Sequence, residues 1–235
     1  MSNTGIVALT RQTGLVREMQ TIANNVANMS TTGYRREGLI FSEYVHQAAD
    51  AGTVAMAAAR VRNTDLAQGT LSQTGGAFDF AIEGEGFFMI QTPQGDQLTR
   101  AGNFSPNAFG DLVTADGYPL LDAGGAPVFV PPDAQNITLA SDGTLSADGA
   151  PLTQIGLYSP ADPSALSHVA GVRFSAEEVI PVESATLLQG FVEDSNVNPV
   201  NEITRMIEVQ RAYEMGQKFL DQENDRIRNV LKTLT

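Results

Sequence analysis

The C-terminal stretch 199–235 restricts most strongly how this chain can fold. It contains a single glycine, and no proline follows Pro199. Apolar residues recur at every seventh position. Asn198 is a favourable N-cap, and Pro199 suits the first helical position because proline lacks only a donor that would have no partner there. A helix over 198–235 would be roughly 50 Å long, far beyond the ~13 Å radius of a compact 100-residue domain. Such a helix needs a partner along its length. The repeating positions are Met206, Tyr213, Leu220, Ile227 and Leu234, with Val209 heading a weaker companion row.

Residues 5–32 carry a shorter pattern of the same kind. Apolar residues recur at alternating spacings of four and three, as in a coiled-coil seam, and Gly33 suits the left-handed residue that ends a helix. No side chain from Gln20 to Tyr34 is charged. A helix that faces water normally carries charge on its outer face, so we expect this one to be covered on more than one side. The seam residues are Leu15, Met19, Ile22, Val26 and Met29.

Between the two ends the periodicity changes to short strands and turns. Asp-Gly pairs, which favour tight hairpin turns, occur at 116–117, 142–143 and 148–149. Residues 113–120 and 145–152 share the pattern Ala-Asp-Gly-x-Pro-Leu, so we expect two hairpins of one design. Two copies are too few for a solenoid.

These patterns predict an α+β fold, with long N- and C-terminal helices packed as a coiled-coil-like pair and an all-β middle domain between them. The same seams suit packing within one molecule and contact between copies, and the two do not exclude each other. The predicted parts are an N-terminal assembly helix at 1–33, an extended connecting segment with some strand at 34–80, a β-rich outer domain at 81–180, a return connector at 181–197 and a C-terminal assembly helix at 198–235.

The net charge of −13 is distributed unevenly along the chain. Residues 37–200 carry 20 acidic side chains and four arginines, residues 1–36 carry four arginines and one glutamate, and residues 201–235 carry six of each sign. The acidic middle repels nucleic acid and anionic membranes. The near-neutral ends are freer to associate.

Cysteine and tryptophan are absent. This excludes disulfides, thiolate zinc sites and cysteine nucleophiles. No stretch approaches the roughly 18 apolar residues of a membrane helix, so we expect no membrane insertion. The apolar run Ile6–Leu9 is too short for a signal-peptide core, and Arg11 interrupts it. We therefore expect any export to use a route without a cleaved signal.

Few residues suit catalysis or metal binding. The two histidines, His46 and His168, lack HExxH, GxSxG or paired-histidine spacing, which favours lone surface or loop histidines. Gly84-Glu-Gly86 lacks the third glycine of a dinucleotide fingerprint and favours a strand break. Residues 142–149 lack the further acids of an EF-hand and favour paired turns. We predict no catalytic, cofactor or metal site.

The asparagines of the N-terminal helix suggest an interface. Asn24 and Asn28 stand at i and i+4, opposite Ile22 and Val26. Asparagine is a poor helix former, but its amide can pair with a neighbouring chain without burying charge. A solvated polar face is the alternative, and the uncharged surroundings favour an interface. The predicted assembly residues are Leu15, Met19, Ile22, Asn24, Asn25, Val26, Asn28, Met206, Val209, Tyr213, Leu220, Ile227 and Leu234.

Three motifs follow one another along the chain and together cover nearly the whole sequence. They are Ala23-Asn-Asn-Val-Ala-Asn28 with Thr32-Gly-Tyr-Arg-Arg36, then Asp79–Phe88 with Thr99–Phe104 and Gly110–Tyr118, and finally Ser195-Asn-Val-Asn198 with Met206-Ile207 and Gln210–Tyr213. In this order they resemble signatures of the flagellar rod/hook axial protein family, and together they are specific. The segments 10–19 and 56–62 resemble most the proximal rod subunits of that family.

The resemblance implies a structural subunit of the bacterial flagellar basal-body rod, whose terminal helices form an inner tube with the β domain outside it. It also implies export by the flagellar type III apparatus to the periplasmic rod, with copies of itself and other rod proteins as partners. A distal-rod subunit is one alternative. Another is a secreted carbohydrate-binding or wall-cleaving protein, which the acidic β-rich middle suggests. A cleaving enzyme would need two carboxylates roughly 5–9.5 Å apart.

Overall fold

The computed structural model describes residues 3–48, 52–182 and 184–233, with side chains for all of these except 3–6, 41–48, 52–62, 227, 230, 231 and 233. It has one long helix near each end of the chain, α1 (Asn3–Ala27) and α2 (Pro199–Thr233), and a mostly β middle. The α+β prediction is confirmed at this level, whereas coiled-coil geometry stays a prediction. The strands are β1 (Glu37–Ala48), β2 (Gly52–Thr64), β3 (Leu71–Gln73), β4 (Phe80–Glu83), β5 (Phe87–Thr92), β6 (Gly95–Thr99), β7 (Ser105–Pro106), β8 (Leu112–Val113), β9 (Ile137–Leu139), β10 (Thr144–Ala147), β11 (Ala150–Gln154), β12 (Leu157–Pro160), β13 (Ser167–Ala170), β14 (Arg173–Ser175), β15 (Val179–Pro181), β16 (Thr186–Gln189) and β17 (Phe191–Glu193).

The chain divides into two compact units. The helical unit holds α1, α2 and the hairpin of β1 and β2. The β unit holds Asn28–Arg36 and Leu66–Val197. The predicted connecting segment thus contributes mainly to the helical unit.

Helix α1 ends at Ala27 rather than at the predicted Thr32. The backbone N–H of Thr31 donates to the Asn28 carbonyl at 3.1 Å, and the Thr31 hydroxyl donates to the Asn28 side-chain oxygen at 3.2 Å. These local bonds compete with helical ones. Gly33 has the expected positive φ of 70° but does not end the helix. A β-carbon there would lie 2.2 Å from the backbone nitrogen of Ala101, so the glycine permits two backbone segments of the β unit to approach closely.

Strands β1 and β2 form a long antiparallel hairpin. The register runs from Glu37 opposite Thr64 to Ala48 opposite Gly52, with an irregularity after Ile40. A two-stranded hairpin alone is marginal in water, and this one packs against α1. Some strand was predicted in this segment, but not a hairpin of this length, because β2 is rich in alanine, a residue depleted in strands.

Helix α2 begins as predicted. The side-chain oxygen of Asn198 accepts from the backbone N–H groups of Val200 at 3.1 Å and Asn201 at 3.2 Å, so it caps the helix. Within the described residues, neither α1 nor α2 has an apolar stretch that would span a membrane.

The β unit is built around an antiparallel sheet with the order β13-β14-β6-β5-β12-β15. Strand β5 is buried on both faces, since its alternate side chains enter different apolar clusters. Phe88 and Ile90 join one cluster with Leu112 and Leu145. Phe87 and Met89 join the other. The short apolar run in the sequence is therefore a central strand of the core.

The two matched Asp-Gly sequences form different turns, which corrects the expectation of one design. Asp148 and Gly149, with φ of 50° and 83°, are the whole loop between β10 and β11, as in a tight hairpin. In the other copy the N–H of Thr114 donates to the carbonyl of Tyr118 at 2.9 Å. That loop has one more residue, and within it only Gly117 has positive φ.

Candidate assembly surfaces

Polar contacts between α1 and α2 fix the direction of their pairing. As the residue number rises along α1, the partner's number falls along α2, so the helices are antiparallel. The contacts are Gln12 with the Tyr213 carbonyl at 3.0 Å, Glu18 with Arg205 at 2.6 Å and Asn25 with Glu202 at 3.1 Å.

The predicted seam is only part of the buried surface of these helices. Ile22 and Val209 are each 4% exposed. The partly buried seam residues are Leu15, Met19, Val26, Met206, Tyr213 and Leu220. Most other buried positions of α1 are polar or small: Gln12, Gly14, Glu18, Thr21 and Asn25. Helix α1 packs against both α2 and the hairpin, so it is covered on more than one side, as its uncharged sequence indicates. The side chain of Ile227 and all of Leu234 lie outside the described residues.

Asn25 is the centre of a buried polar cluster in the helical unit. Its side chain is 0% exposed and donates to the Glu37 carbonyl at 2.8 Å and to the Glu202 carboxylate at 3.1 Å. Its oxygen accepts from the Glu37 N–H at 2.9 Å. The amide thus uses both donors and its acceptor to connect α1, α2 and β1. Asn24 is exposed, and Asn28 accepts the Thr31 hydroxyl. Contact of these three residues with another copy stays a prediction.

Gly216 is a point of close approach between the helices. A β-carbon on Gly216 would lie 2.0 Å from Nε2 of Gln12. The amide of Gln12 occupies the space that a side chain at this position would need. Gln12 is 6% exposed, and its Oε1 has no hydrogen-bond partner among the described residues.

A second apolar stripe, outside the predicted heptad rows, lies on the exposed side of α2. Its spacings of three and four, interrupted at Arg211, are those of one helical face. It consists of Val200 (71% exposed), Ile203 (52%), Ile207 (44%), Met215 (65%) and Phe219 (44%). With α1 it borders two apolar grooves, of about 350 Å³ near Val26 and about 430 Å³ near Leu15. Exposed apolar surface of this extent on one helical face marks protein contacts.

Glu193 is the centre of a buried ionic cluster in the β unit. Its carboxylate pairs with Arg35 at 2.7 Å and with Arg100 at 2.8 Å, and it accepts the N–H of Gly69 at 2.8 Å. The three charged side chains are each at most 3% exposed. The cluster joins the segment after α1 to the end of β17. None of these three residues is among the predicted site residues, because Arg35, Arg100 and Glu193 are far apart in the sequence.

Arg100 also explains the Gly84-Glu-Gly86 motif. The motif is the predicted strand break, lying between β4 and β5, and its carbonyls accept from Arg100 at 2.9 Å (Gly84) and 2.6 Å (Gly86). Desolvation lowers the pKa of Arg100 to about 10, although the charge of Glu193 opposes the shift. Even so, the guanidinium stays charged at neutral pH.

The histidines occupy strands rather than loops. His168, in β13, lies with its ring 6.1 Å from Tyr34 and 5.3 Å from Phe174, and its Nε2 is 2.7 Å from the Gly171 carbonyl. His168 is therefore a partly buried residue that packs against two aromatic rings. His46 lies in β1 opposite Val54, and its side chain is outside the described ones. Over the described ranges, no group of His, Asp and Glu side chains has the arrangement of a metal site.

Three family models match successive parts of the chain. The model described as "Flagella basal body rod protein" matches residues 4–35. The "Flagellar hook protein FlgE/F/G D1 domain" matches residues 81–147. The "Flagellar basal body rod FlgEFG protein C-terminal" matches residues 188–233. The matches include α1, the core of the β unit and α2.

Curated relatives align over nearly the full sequence. The flagellar basal-body rod protein FlgF of Mesorhizobium japonicum is 38% identical, over 100% of this chain and 98% of its own length. FlgF of Caulobacter vibrioides is 37% identical with the same coverage. FlgG of Bacillus subtilis is 30% identical, over 91% of this chain and 92% of its own length. The chain therefore belongs to the flagellar basal-body rod protein family.

Proposed function

We propose that this chain is a structural subunit of the proximal flagellar rod and that it polymerises through its helical unit. The observation that carries the proposal is the exposed apolar stripe of α2, since α1 and α2 already pair and still leave Ile203, Ile207 and Met215 in water. Burying such surface between copies contributes about 25 cal/mol per Å² of apolar area. The rod-like assembly of the family supplies the setting in which this burial occurs.

The predicted assembly residues then have two roles. Ile22, Val209 and the other seam residues hold α1 to α2 and so shape the surface that copies share. Asn24 and Asn28, at the less buried positions, contact a neighbouring copy. The exposed stripe adds the residues that the heptad count missed.

The comparisons favour a FlgF-like position in the rod. In Caulobacter vibrioides, the FlgF protein is 37% identical over 100% of this chain, and the FlgG protein is 33% identical over 86% of it. The proximal position itself rests on the motifs at 10–19 and 56–62. A distal-rod position is the alternative within the family.

The subunit reaches the periplasmic rod through the flagellar type III apparatus and contacts copies of itself and other rod proteins. Its role is structural rather than catalytic. The polar clusters around Asn25 and Glu193 support this, because both are buried and their hydrogen bonds join segments of the chain. Such clusters hold a fold and offer no surface to a substrate.

A complementation assay tests the proposal. A strain that lacks this gene receives the wild-type chain, Ile207→Asp or Phe109→Asp, the last altering an exposed apolar residue of the β unit (81% exposed) as a control. We expect the wild type and the control to swim and to enter purified basal bodies. Ile207→Asp should be exported but missing from the rod, because a buried unpaired charge is costly. Normal incorporation of Ile207→Asp would contradict assembly through this face.

Immunogold labelling tests the position. If the subunit is proximal, we expect a label on the β unit to lie next to the inner-membrane ring of the basal body. A label only at the far end of the rod would favour the distal alternative.

A further inference from the structure

A small cleft in the β unit lies beside Arg173, and we name it the Arg173 cleft. Its residues come from the segment after α1, from β5 and β6, and from the loops that follow β8 and precede β14. The lining combines apolar residues, among them Ala115 and Val172, with polar ones, among them Thr32 and Arg173. Its volume is about 270 Å³, just below the roughly 300–1,000 Å³ of most small-molecule sites. The cleft therefore suits a single side chain better than a whole small molecule.

The guanidinium of Arg173 is held in place but keeps one nitrogen open. Its Nη1 donates to Oε1 of Gln97 at 3.2 Å, and its central carbon lies 4.7 Å from the centroid of the Tyr118 ring. Its Nε is closed to solvent, and Oδ2 of Asp116 is 3.9 Å from it, too far for a hydrogen bond. Its Nη2 has no partner in the described part of the chain and is open to solvent. An incoming acceptor can therefore reach Nη2.

A cation with unused donors is unusual in the β unit. The segments of this unit contain sixteen acidic residues and four arginines. Arg35 and Arg100 both pair closely with Glu193, whereas the acid beside Arg173 is the 66% exposed Asp116 at 3.9 Å. The side chain of Arg173 is itself only 16% exposed, and a largely buried cation is unfavourable unless an anion is paired with it. An anion in the cleft would complete this pairing.

The other polar groups of the cleft favour a carboxylate. The Thr32 hydroxyl and the Asn103 amide make no hydrogen bond within the described ranges of the chain. The Thr114 hydroxyl accepts from the Tyr118 N–H at 3.2 Å and keeps its own proton to donate. Such donors beside a guanidinium suit an oxyanion, and the apolar lining suits the methylene groups that carry it. Because Asp116 lies nearby, one cation balances a singly charged carboxylate better than a doubly charged phosphate.

We propose that the Arg173 cleft binds a glutamate or aspartate side chain from an acidic segment of a partner protein. The carboxylate accepts from Nη2 of Arg173 and from the threonine and asparagine donors, and its methylene groups contact Ala115 and Val172. The site lies wholly in the β unit, so this inference does not depend on the proposed function of the helical unit. It gives the β unit a binding role of its own.

An NMR titration of the full-length chain tests the cleft. The Nε proton of Arg173 is shielded from water, so its ¹H–¹⁵N signal should be observable, and its loss in Arg173→Lys assigns it. The probe is the peptide acetyl-Gly-Glu-Gly-amide, and the matched control is the same peptide with glutamine. We expect the glutamate peptide to shift the Arg173 signal and the amides of Gly171 and Val172 saturably, and the glutamine peptide to leave them unchanged.

Variants give the site a signature that a merely structural role would lack. Arg173→Lys should weaken binding roughly tenfold, because lysine lacks the guanidinium fork. Thr32→Val and Asn103→Ala each remove one donor and should weaken it roughly threefold, which keeps the test intact if the Arg173 variant does not fold. Asp116→Asn removes the competing carboxylate and should tighten binding. Asp133→Asn makes the same charge change at an exposed position outside the cleft and should have no effect.

Several results would overturn the proposal. No shift with the glutamate peptide, or equal shifts with both peptides, would show that the cleft does not recognise a carboxylate. Tighter binding of inorganic phosphate would assign the cleft to a free phosphate. Glutarate that binds more than about tenfold tighter than the glutamate peptide would assign it to a free diacid rather than to a protein side chain. Weaker binding by Asp116→Asn than by the natural chain would contradict the competition between Asp116 and the ligand.

Discussion

The side-chain amide of Gln12 occupies the space that a β-carbon on Gly216 would need, since the two atoms would lie 2.0 Å apart. The same amide nitrogen donates to the carbonyl of Tyr213 at 3.0 Å. A glycine within a helix costs about 1 kcal/mol relative to alanine. Here the glycine leaves room for a polar contact that fixes one register of α1 on α2.

The effect of Gly216→Ala on the free energy of unfolding should therefore have opposite signs in the natural chain and in a Gln12→Ala variant. In the natural chain the new methyl group displaces the Gln12 amide, and we expect a lower free energy of unfolding. In the Gln12→Ala background the space is open, and the same change should stabilise the chain by up to about 1 kcal/mol through helix propensity. Urea unfolding of the natural chain, the two single variants and the double variant, followed by circular dichroism, gives the coupling free energy between the two positions. Equal effects in both backgrounds would show that the close approach does not constrain Gly216.

Both long helices were predictable because their signals are local. The heptad rows and the Asn198 cap lie within the helices themselves, so nothing distant had to be known. The end of α1 was wrong by several residues because Asn28 and Thr31 bond to each other, a competition that periodicity does not reveal. The hairpin was missed because its support comes from α1, which is remote in sequence from β2.

The candidate site was predictable only in its apolar part. Heptad spacing found Ile22 and Val209, but it could not pair Asn25 with Glu202, which is 177 residues away. The exposed stripe was not predicted, because the heptad row on the same helix has the more regular spacing of apolar residues. Glu193 was hidden because nothing in its local sequence shows that two arginines converge on it.

Asn25→Ala should destabilise the helical unit strongly. The change removes hydrogen bonds to the Glu37 backbone and to the Glu202 carboxylate inside a site without water access. A loss on the order of 3 kcal/mol is expected in denaturant unfolding. Asn24→Ala, one position away and exposed, is the matched control and should change stability by less than about 0.5 kcal/mol. Similar losses for both would contradict a special role for the Asn25 cluster.

Asp122 should make the β unit sensitive to acid. Burial raises the pKa of its carboxyl, but donors from the Ala126 N–H at 2.8 Å, the Thr153 hydroxyl at 2.8 Å and the Gly124 N–H at 2.9 Å outweigh this, so the pKa lies below 3.8. A depressed carboxyl pKa stabilises the fold above the unfolded pKa, and the stabilisation is lost as pH falls through the folded value. The stability advantage of the natural chain over Asp122→Asn should therefore shrink as pH falls below about 4.

Thr153→Val provides a further check on Asp122, because it removes one of these donors and leaves the carboxyl in place. The pH dependence of its free energy of unfolding should lie between that of the natural chain and that of Asp122→Asn. Parallel profiles for all three proteins from pH 5 to 2 would show that Asp122 does not contribute to acid unfolding.

Glu193→Gln should be the most damaging of these single changes. It leaves the guanidinium groups of Arg35 and Arg100 buried without their shared anion, and breaking such a buried pair typically costs about 3–5 kcal/mol. Glu223→Gln breaks a surface pair with Arg226 and should cost far less than Glu193→Gln, because water screens such pairs. Hydrogen exchange of the amides in β5 and β6 measures the loss in the β unit.

The two arginines provide the decisive comparison for Glu193. Arg35→Met alone leaves Arg100 and Glu193 as a buried pair, whereas in the Glu193→Gln background it removes a cation that no longer has a counter-charge. The same substitution should therefore destabilise the natural chain and cost much less, or even stabilise, in that background. Strict additivity of the two changes would mean that Arg35 contributes independently of Glu193, through its packing and its hydrogen bond to the Ala67 carbonyl.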